Sequence, residues 1–149
     1  MHDDADYLAQ ARRWLRYAVE DLDEAETLVG RPHFAPRHAC FFAQQAVEKA
    51  IKAVLVFLRI DFPRVHDLDT LRALVSQDWP FRDEHPRLGG LTEWAIEARY
   101  PGNWTDATAE DAEEAVRQAR AVWNSIERDL LAHGLEVEPA EAPAPDGEQ

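Results

Sequence analysis

Between His38 and Lys52 the chain reads HACFFAQQAVEKAIK, with apolar residues at helical spacing. They are Ala39, Phe42, Ala43, Ala46, Val47, Ala50 and Ile51, continued by Val54, Leu55 and Leu58. A stripe that wide predicts a helix buried in a bundle. Its polar residues form a second, compact face of amides and charges: Gln44, Gln45, Glu48, Lys49 and Lys52. Gln44 and Glu48, like Glu48 and Lys52, are four residues apart and so neighbours on a helix. Two readings of this face are open. It is a solvated surface tied by local pairs, or a polar strip turned toward a partner subunit or ligand groove.

The flanking sequence supplies helices to pack against it. Leu8, Ala11, Leu15, Ala18, Leu22, Ala25 and Val29 alternate at intervals of three and four, which predicts a helix from Ala5 to Val29, with Trp14 and Tyr17 widening its apolar face. Gly30, Pro32 and Pro36 end it and lead into the second helix, expected from Pro36 to Arg59. Pro63 biases Phe62 away from helix, so Ile60 to His66 reads as a loop. Asp67 or Asp69 can cap a short helix carrying Leu68, Leu71, Leu74 and Val75. The stretch from Asp78 to His85 reads as irregular. A fourth helix carries Leu88, Leu91, Trp94, Ala95 and Ala98 and stops at Tyr100-Pro101-Gly102. The last helix starts at Thr108, where Thr-Ala-Glu-Asp resembles a capping box, and Ala112 to Leu130 hold helical spacing. The fold class is therefore all-α: an up-and-down bundle of four to five helices, four long and one short, occupying residues 1–131. Residues 132–149, rich in Pro, Ala and acids, read as a disordered tail.

The length of 149 residues fits one domain, and 46% hydrophobic composition argues against global disorder. No apolar run is long enough for a membrane span, and the acidic start MHDDADYLAQARR lacks a signal-peptide core. Cytoplasmic residence is the expectation. The single cysteine, Cys40, lies on the apolar face of the second helix and is expected to be buried. Net charge is −13, which disfavours nucleic acid as a partner and DNA above all. Its distribution tempers that argument: from Ala132 onward there are five acids and no Lys or Arg. Arginines number 14 against two lysines, leaving many planar forks suited to phosphate oxygens.

No His-x-x-x-His pair and no Glu-x-x-His repeat marks a metal site, Gly89-Gly90 is an isolated turn rather than a phosphate loop, and no serine sits in an elbow motif. Neither metal nor cofactor is expected.

Three anchors in this order resemble the HEPN domain family: ACFFAQQAVEKAIKAVL (Ala39 to Leu55), HDL (His66 to Leu68) and ARYPG (Ala98 to Gly102). The resemblance spans about residues 8 to 131, and the spacing suits the RYP subgroup associated with minimal nucleotidyltransferases. It implies a helical bundle that forms a homodimer, binds a nucleotide or RNA phosphate, and pairs with such a nucleotidyltransferase in a toxin–antitoxin-like system. Many members of the family are metal-independent ribonucleases whose signature is an Arg followed four to six residues later by a His. In that chemistry His moves protons near neutral pH and Arg stabilises the charge growing on phosphate. Here Arg99 is followed by Tyr-Pro-Gly-Asn-Trp-Thr, with no His, so the signature is missing.

Two longer matches, Arg31 to His38 and Arg59 to His66, are expected by chance among so many arginines. Only Arg59–His66 coincides with an anchor. Its alternative roles are structural: His66 capping or bracing the next helix and Arg59 closing the second. Arg99 and Tyr100 read better as ligand-binding residues, exposed at a helix end where Arg grips phosphate and Tyr or Trp104 stacks on a base. The competing reading pairs Arg99 with Glu97 or an acid of the last helix and places Tyr100 in the core. Gln45, Lys49 and Lys52 join the candidate ligand set. Three functions follow: a phosphate-binding partner of a nucleotidyltransferase, an active ribonuclease toxin, and a ligand-free dimeric interaction module.

Overall fold

The computed structural model describes residues 4–135, which form seven helical segments and no strand. Three are long: α1 (Asp4–Leu28), α2 (Pro36–Phe57) and α7 (Ala109–Ala132). Four are short: α3 (Leu68–Ala73), α4 (Pro80–Glu84), α5 (Gly89–Thr92) and α6 (Trp94–Glu97). The bundle is all-α as the sequence implies, but three long helices rather than four carry it. The helix expected from Leu88 to Ala98 is broken into α5 and α6 at Glu93.

The central element is α2. α1 packs along one side of it, α7 along another, and α3, α5 and α6 close a third. Its stripe of Ala43, Ala46, Val47, Ala50, Ile51, Val54 and Leu55 is fully buried. Alanines recur at the contacts, from Ala11, Ala18 and Ala25 on α1 to Ala112 and Ala119 on α7. Small side chains let helix backbones approach closely and leave Leu15, Leu22, Ile51, Val122 and Ile126 to fill the space between.

The ends of the elements follow local chemistry. Pro36 opens α2 at a position where its missing N–H costs nothing. α2 ends two residues before the expected Arg59, because Arg59 takes a left-handed conformation with φ of 58°. The Ile60 N–H then returns to the Leu55 carbonyl at 2.9 Å, the closure that usually recruits glycine. Its strain is on the order of 1–2 kcal/mol for an L-residue. The Arg59 guanidinium lies 3.8 Å from the centre of the Tyr7 ring, a cation–π contact that offsets part of this strain. Asp67 caps α3 by accepting from the N–H groups of Asp69 and Thr70 at 3.0 and 3.3 Å. Thr108 and Asp111 form the reciprocal capping box of α7.

The segment from Asp78 to His85, expected to be irregular, contains α4. Its cap is remote: buried Asp129 on α7 accepts from the Phe81 N–H at 2.8 Å. That bond spans 48 residues, so no local pattern carries it. Packing also continues past the boundary expected at residue 131. Leu135 is buried, and His133 stacks on Trp79 with ring centres 3.8 Å apart. The remainder of the expected tail lies outside the described residues.

Candidate functional site

The polar face of α2 is neither fully solvated nor free. Gln44 is fully buried and Glu48 is only 5% exposed. Glu48 Oε1 accepts from Gln44 Nε2 at 3.1 Å and lies 2.8 Å from His66 Nδ1, while Oε2 takes Lys52 Nζ at 2.9 Å. Gln44 Nε2 also donates to the His66 carbonyl at 3.2 Å, and Gln45 Nε2 donates to Gln44 Oε1 at 2.7 Å. Burial raises the pKa of Glu48, but the hydrogen bonds from His66, Lys52 and Gln44 outweigh it and hold the carboxyl below its ordinary range. The Lys52 ammonium also faces the Trp14 and Phe62 rings at 5.7 and 5.4 Å. Lys49 pairs with Asp21 across the α1–α2 contact.

Lys49 and Lys52, candidates for ligand binding, are therefore both engaged by carboxylates of the chain itself. Glu48 was visible in sequence as a helix neighbour of Gln44 and Lys52. Its tie to His66 crosses a loop and left no spacing signal. His66 does not cap α3, which Asp67 does. Instead its ring braces the centre of α2 while most of its side chain stays exposed. An imidazole held by a carboxylate on Nδ1 presents Nε2 outward, the arrangement that orients a proton-transfer histidine.

Arg59 has a different neighbourhood. It lines a groove of about 550 Å³ with Tyr7, Gln10, Val56, Asp61 and Phe62. The contacts of Arg59 with Tyr7 and of His66 with Glu48 give these two residues separate partners.

Arg99 and Tyr100 lie at the other candidate position, just after α6, and both are exposed. The Arg99 guanidinium sits 5.3 Å from the centre of the Phe41 ring on α2 and 5.4 Å from that of Tyr100. Among the described residues no carboxylate pairs with it, so the ion pair with Glu97 or an acid of α7 does not form, and Tyr100 is outside the core. Trp104 folds its indole over Gly102, where an added Cβ would overlap the ring, so the turn after Tyr100 needs glycine.

Other reactive groups serve the scaffold. Cys40 is buried, and desolvation pushes its thiol up to about 12, which keeps it protonated. His85 Nε2 lies 3.0 Å from Ser125 Oγ, tying α4 to α7, and burial lowers the pKa of the imidazole. Among the described residues no group of three or more His, Cys, Asp or Glu side chains is placed to hold a metal ion, and no helix is long and apolar enough to cross a membrane.

Comparison with known proteins adds four findings. The HEPN domain pattern matches residues 11–129. A Methanocaldococcus jannaschii protein named "Putative toxin MJ1304" is 29% identical over 147 residues, covering 88% of this chain and 94% of that one. The crystal structure of TT1696 from Thermus thermophilus superposes with a TM-score of 0.67 at 27% identity, over 81% of this chain and 98% of that one. The crystal structure of ST0689, described as an archaeal HEPN homologue, gives 0.57 at 25% identity, over 80% and 97%. The family match begins inside α1 and ends inside α7, taking in α2 and every segment that packs on it. The chain belongs to the HEPN domain family.

Proposed function

We propose that this chain works by binding the phosphate of a nucleotide or RNA at Arg99 and Tyr100, as a homodimer and as the partner of a minimal nucleotidyltransferase in a toxin–antitoxin-like pair. The observation that carries this reading is the state of Arg99. Its guanidinium is exposed, rests on two aromatic faces, and has no carboxylate partner among the described residues. Arg72, Arg117, Arg120 and Arg128, by contrast, are each held by an acidic side chain. In a chain of net charge −13, an arginine left unneutralised keeps its full set of donors for a phosphate. The resemblance of 88% of the chain to a protein named as a toxin supports the paired-system part of the reading.

The test is binding of labelled RNA and of nucleotides by the purified protein. Arg99→Ala should weaken binding by about 1.5–3 kcal/mol, the worth of a hydrogen bond to a charged group. Sedimentation at micromolar concentration should report twice the chain mass; a monomer there would remove the dimer from the proposal.

A second reading, a metal-independent ribonuclease, is favoured by one observation. Glu48 holds His66 by Nδ1 and leaves more than half of the side chain exposed, as a general base requires.

A further inference from the structure

We propose that the Arg99 edge takes an extended single-stranded polynucleotide and that Arg37 is a second phosphate-binding residue there. The proposal rests on the phosphate-binding reading above and deepens it. Arg37, in the first turn of α2, donates from Nη1 to the Ala98 carbonyl at 3.2 Å. That bond ties its guanidinium to the residue just before Arg99. Arg99 in turn lies over Phe41, one turn along α2 from Arg37. Two guanidinium groups from different elements therefore meet at one edge of the bundle. Both arginines are exposed, and among the described residues neither has a carboxylate partner. Arg37 spends one of its five donors on the tether and keeps the others.

The surroundings select a strand over a small nucleotide. Small ligands bind in concave sites that bury most of their surface. The groove of about 550 Å³ is lined by Tyr7, Val56, Arg59 and Phe62, and by neither Arg37 nor Arg99. On the arginine side the aromatic groups face solvent: Tyr100 is 54% exposed and Trp104 is 37% exposed. Cations set beside exposed rings suit a single strand, whose phosphates meet the guanidiniums while its bases stack on the aromatics. Consecutive phosphates give both arginines a partner; a monophosphate serves one.

The experiment is fluorescence anisotropy of labelled octamers rU8 and dT8 over a range of salt, with UMP as competitor. The proteins are the full chain, Arg99→Ala, Arg37→Gln and Arg37→Lys, each checked by thermal melting. Gln at position 37 removes the charge while Lys keeps it, and thermal melting reads any loss of the tether to the Ala98 carbonyl, which separates phosphate contact from tethering. Two phosphate contacts predict a log–log salt slope near −1.4 for the full chain, falling by about 0.7 in Arg37→Gln and likewise in Arg99→Ala. Arg37→Lys should retain the slope. Octamer binding that UMP displaces only at far higher concentration supports the proposal, and a preference for rU8 over dT8 identifies RNA as the source.

Two outcomes overturn the proposal and leave the Arg99 reading standing. One is an unchanged slope and affinity in Arg37→Gln beside losses in Arg99→Ala. The other is UMP competing as well as an octamer. If neither octamer nor UMP binds, the phosphate-binding reading itself falls.

Discussion

Glu48 Oε1 lies 2.8 Å from Nδ1 of His66, joining the buried centre of α2 to the loop that leads into α3. The same carboxylate holds Lys52, which is 12% exposed. Removing Glu48 therefore strands a nearly buried ammonium and frees the loop at once. Glu48→Ala should destabilise the fold by about 3–5 kcal/mol, the cost of breaking one partner of a buried pair. Glu48→Gln should cost less, because the amide oxygen still accepts a hydrogen bond. Urea denaturation reads both, and a loss below about 1 kcal/mol in Glu48→Ala would show that Lys52 finds solvent without cost.

The same site sets part of the acid stability. The Glu48 pKa is depressed in the folded state, so the unfolded chain takes up its proton first as pH falls. The stability it contributes is fully present above the unfolded value of about 4.3 and is lost as pH drops through the depressed folded value. Glu48→Gln should flatten that portion of the stability–pH curve and leave the region above about pH 6 parallel to that of the original chain. Parallel curves across the acid limb would mean that the carboxylate carries no linkage.

Asp129 caps α4 from α7, and Arg128 bridges it to Glu84 at the far end of α4. Asp129→Ala leaves the Phe81 N–H without its acceptor in a buried setting, at a cost of about 2 kcal/mol. Asp129→Asn retains an acceptor oxygen and should recover much of that loss. The amide proton of Phe81 reports directly: hydrogen exchange there should accelerate in Asp129→Ala before exchange in α2 does.

The difference between these two clusters marks what the sequence made legible. α1, α2 and α7 were readable because each keeps an apolar period for five turns or more, and periodicity survives without knowledge of neighbours. The Thr108 capping box was readable because both of its residues lie within one turn. α4 was not readable: five residues hold no period, and the acid that caps it is 48 residues away. At the site, Arg99 and Tyr100 stood out by their place at a helix end before Pro101-Gly102. Arg37 did not, since only the folded chain brings it to the Ala98 carbonyl. Lys49 and Lys52 looked available for ligands for the opposite reason. Their partners, Asp21 across the helix contact and a buried Glu48, are fixed by packing.

Cys40 is buried and its thiol is pushed up to about 12, so native protein should resist thiol reagents at mildly alkaline pH. Labelling should proceed at the rate of opening rather than of chemistry, and it should become immediate in denaturant. Labelling of the folded protein as fast as of a free thiol would mean that the packing that buries Cys40 opens readily.

Catalysis separates the two functional readings, and His66 and Arg99 are the residues that decide. If phosphate binding is the whole activity, the purified chain leaves RNA intact in the presence of a chelator, and Arg99→Ala reduces binding while His66→Ala leaves it unchanged. If His66 is a general base, RNA is cut without metal and His66→Ala abolishes cutting. Glu48→Gln then separates positioning from mere stability. It keeps the side chain's shape but removes the negative charge that orients the imidazole. Cleavage should fall in that variant at a temperature where it remains folded, because the imidazole is no longer held by a charged partner. An unchanged rate in that variant would assign Glu48 to the scaffold alone. An intact chain that cuts RNA and keeps cutting after His66→Ala would remove both residues from the chemistry.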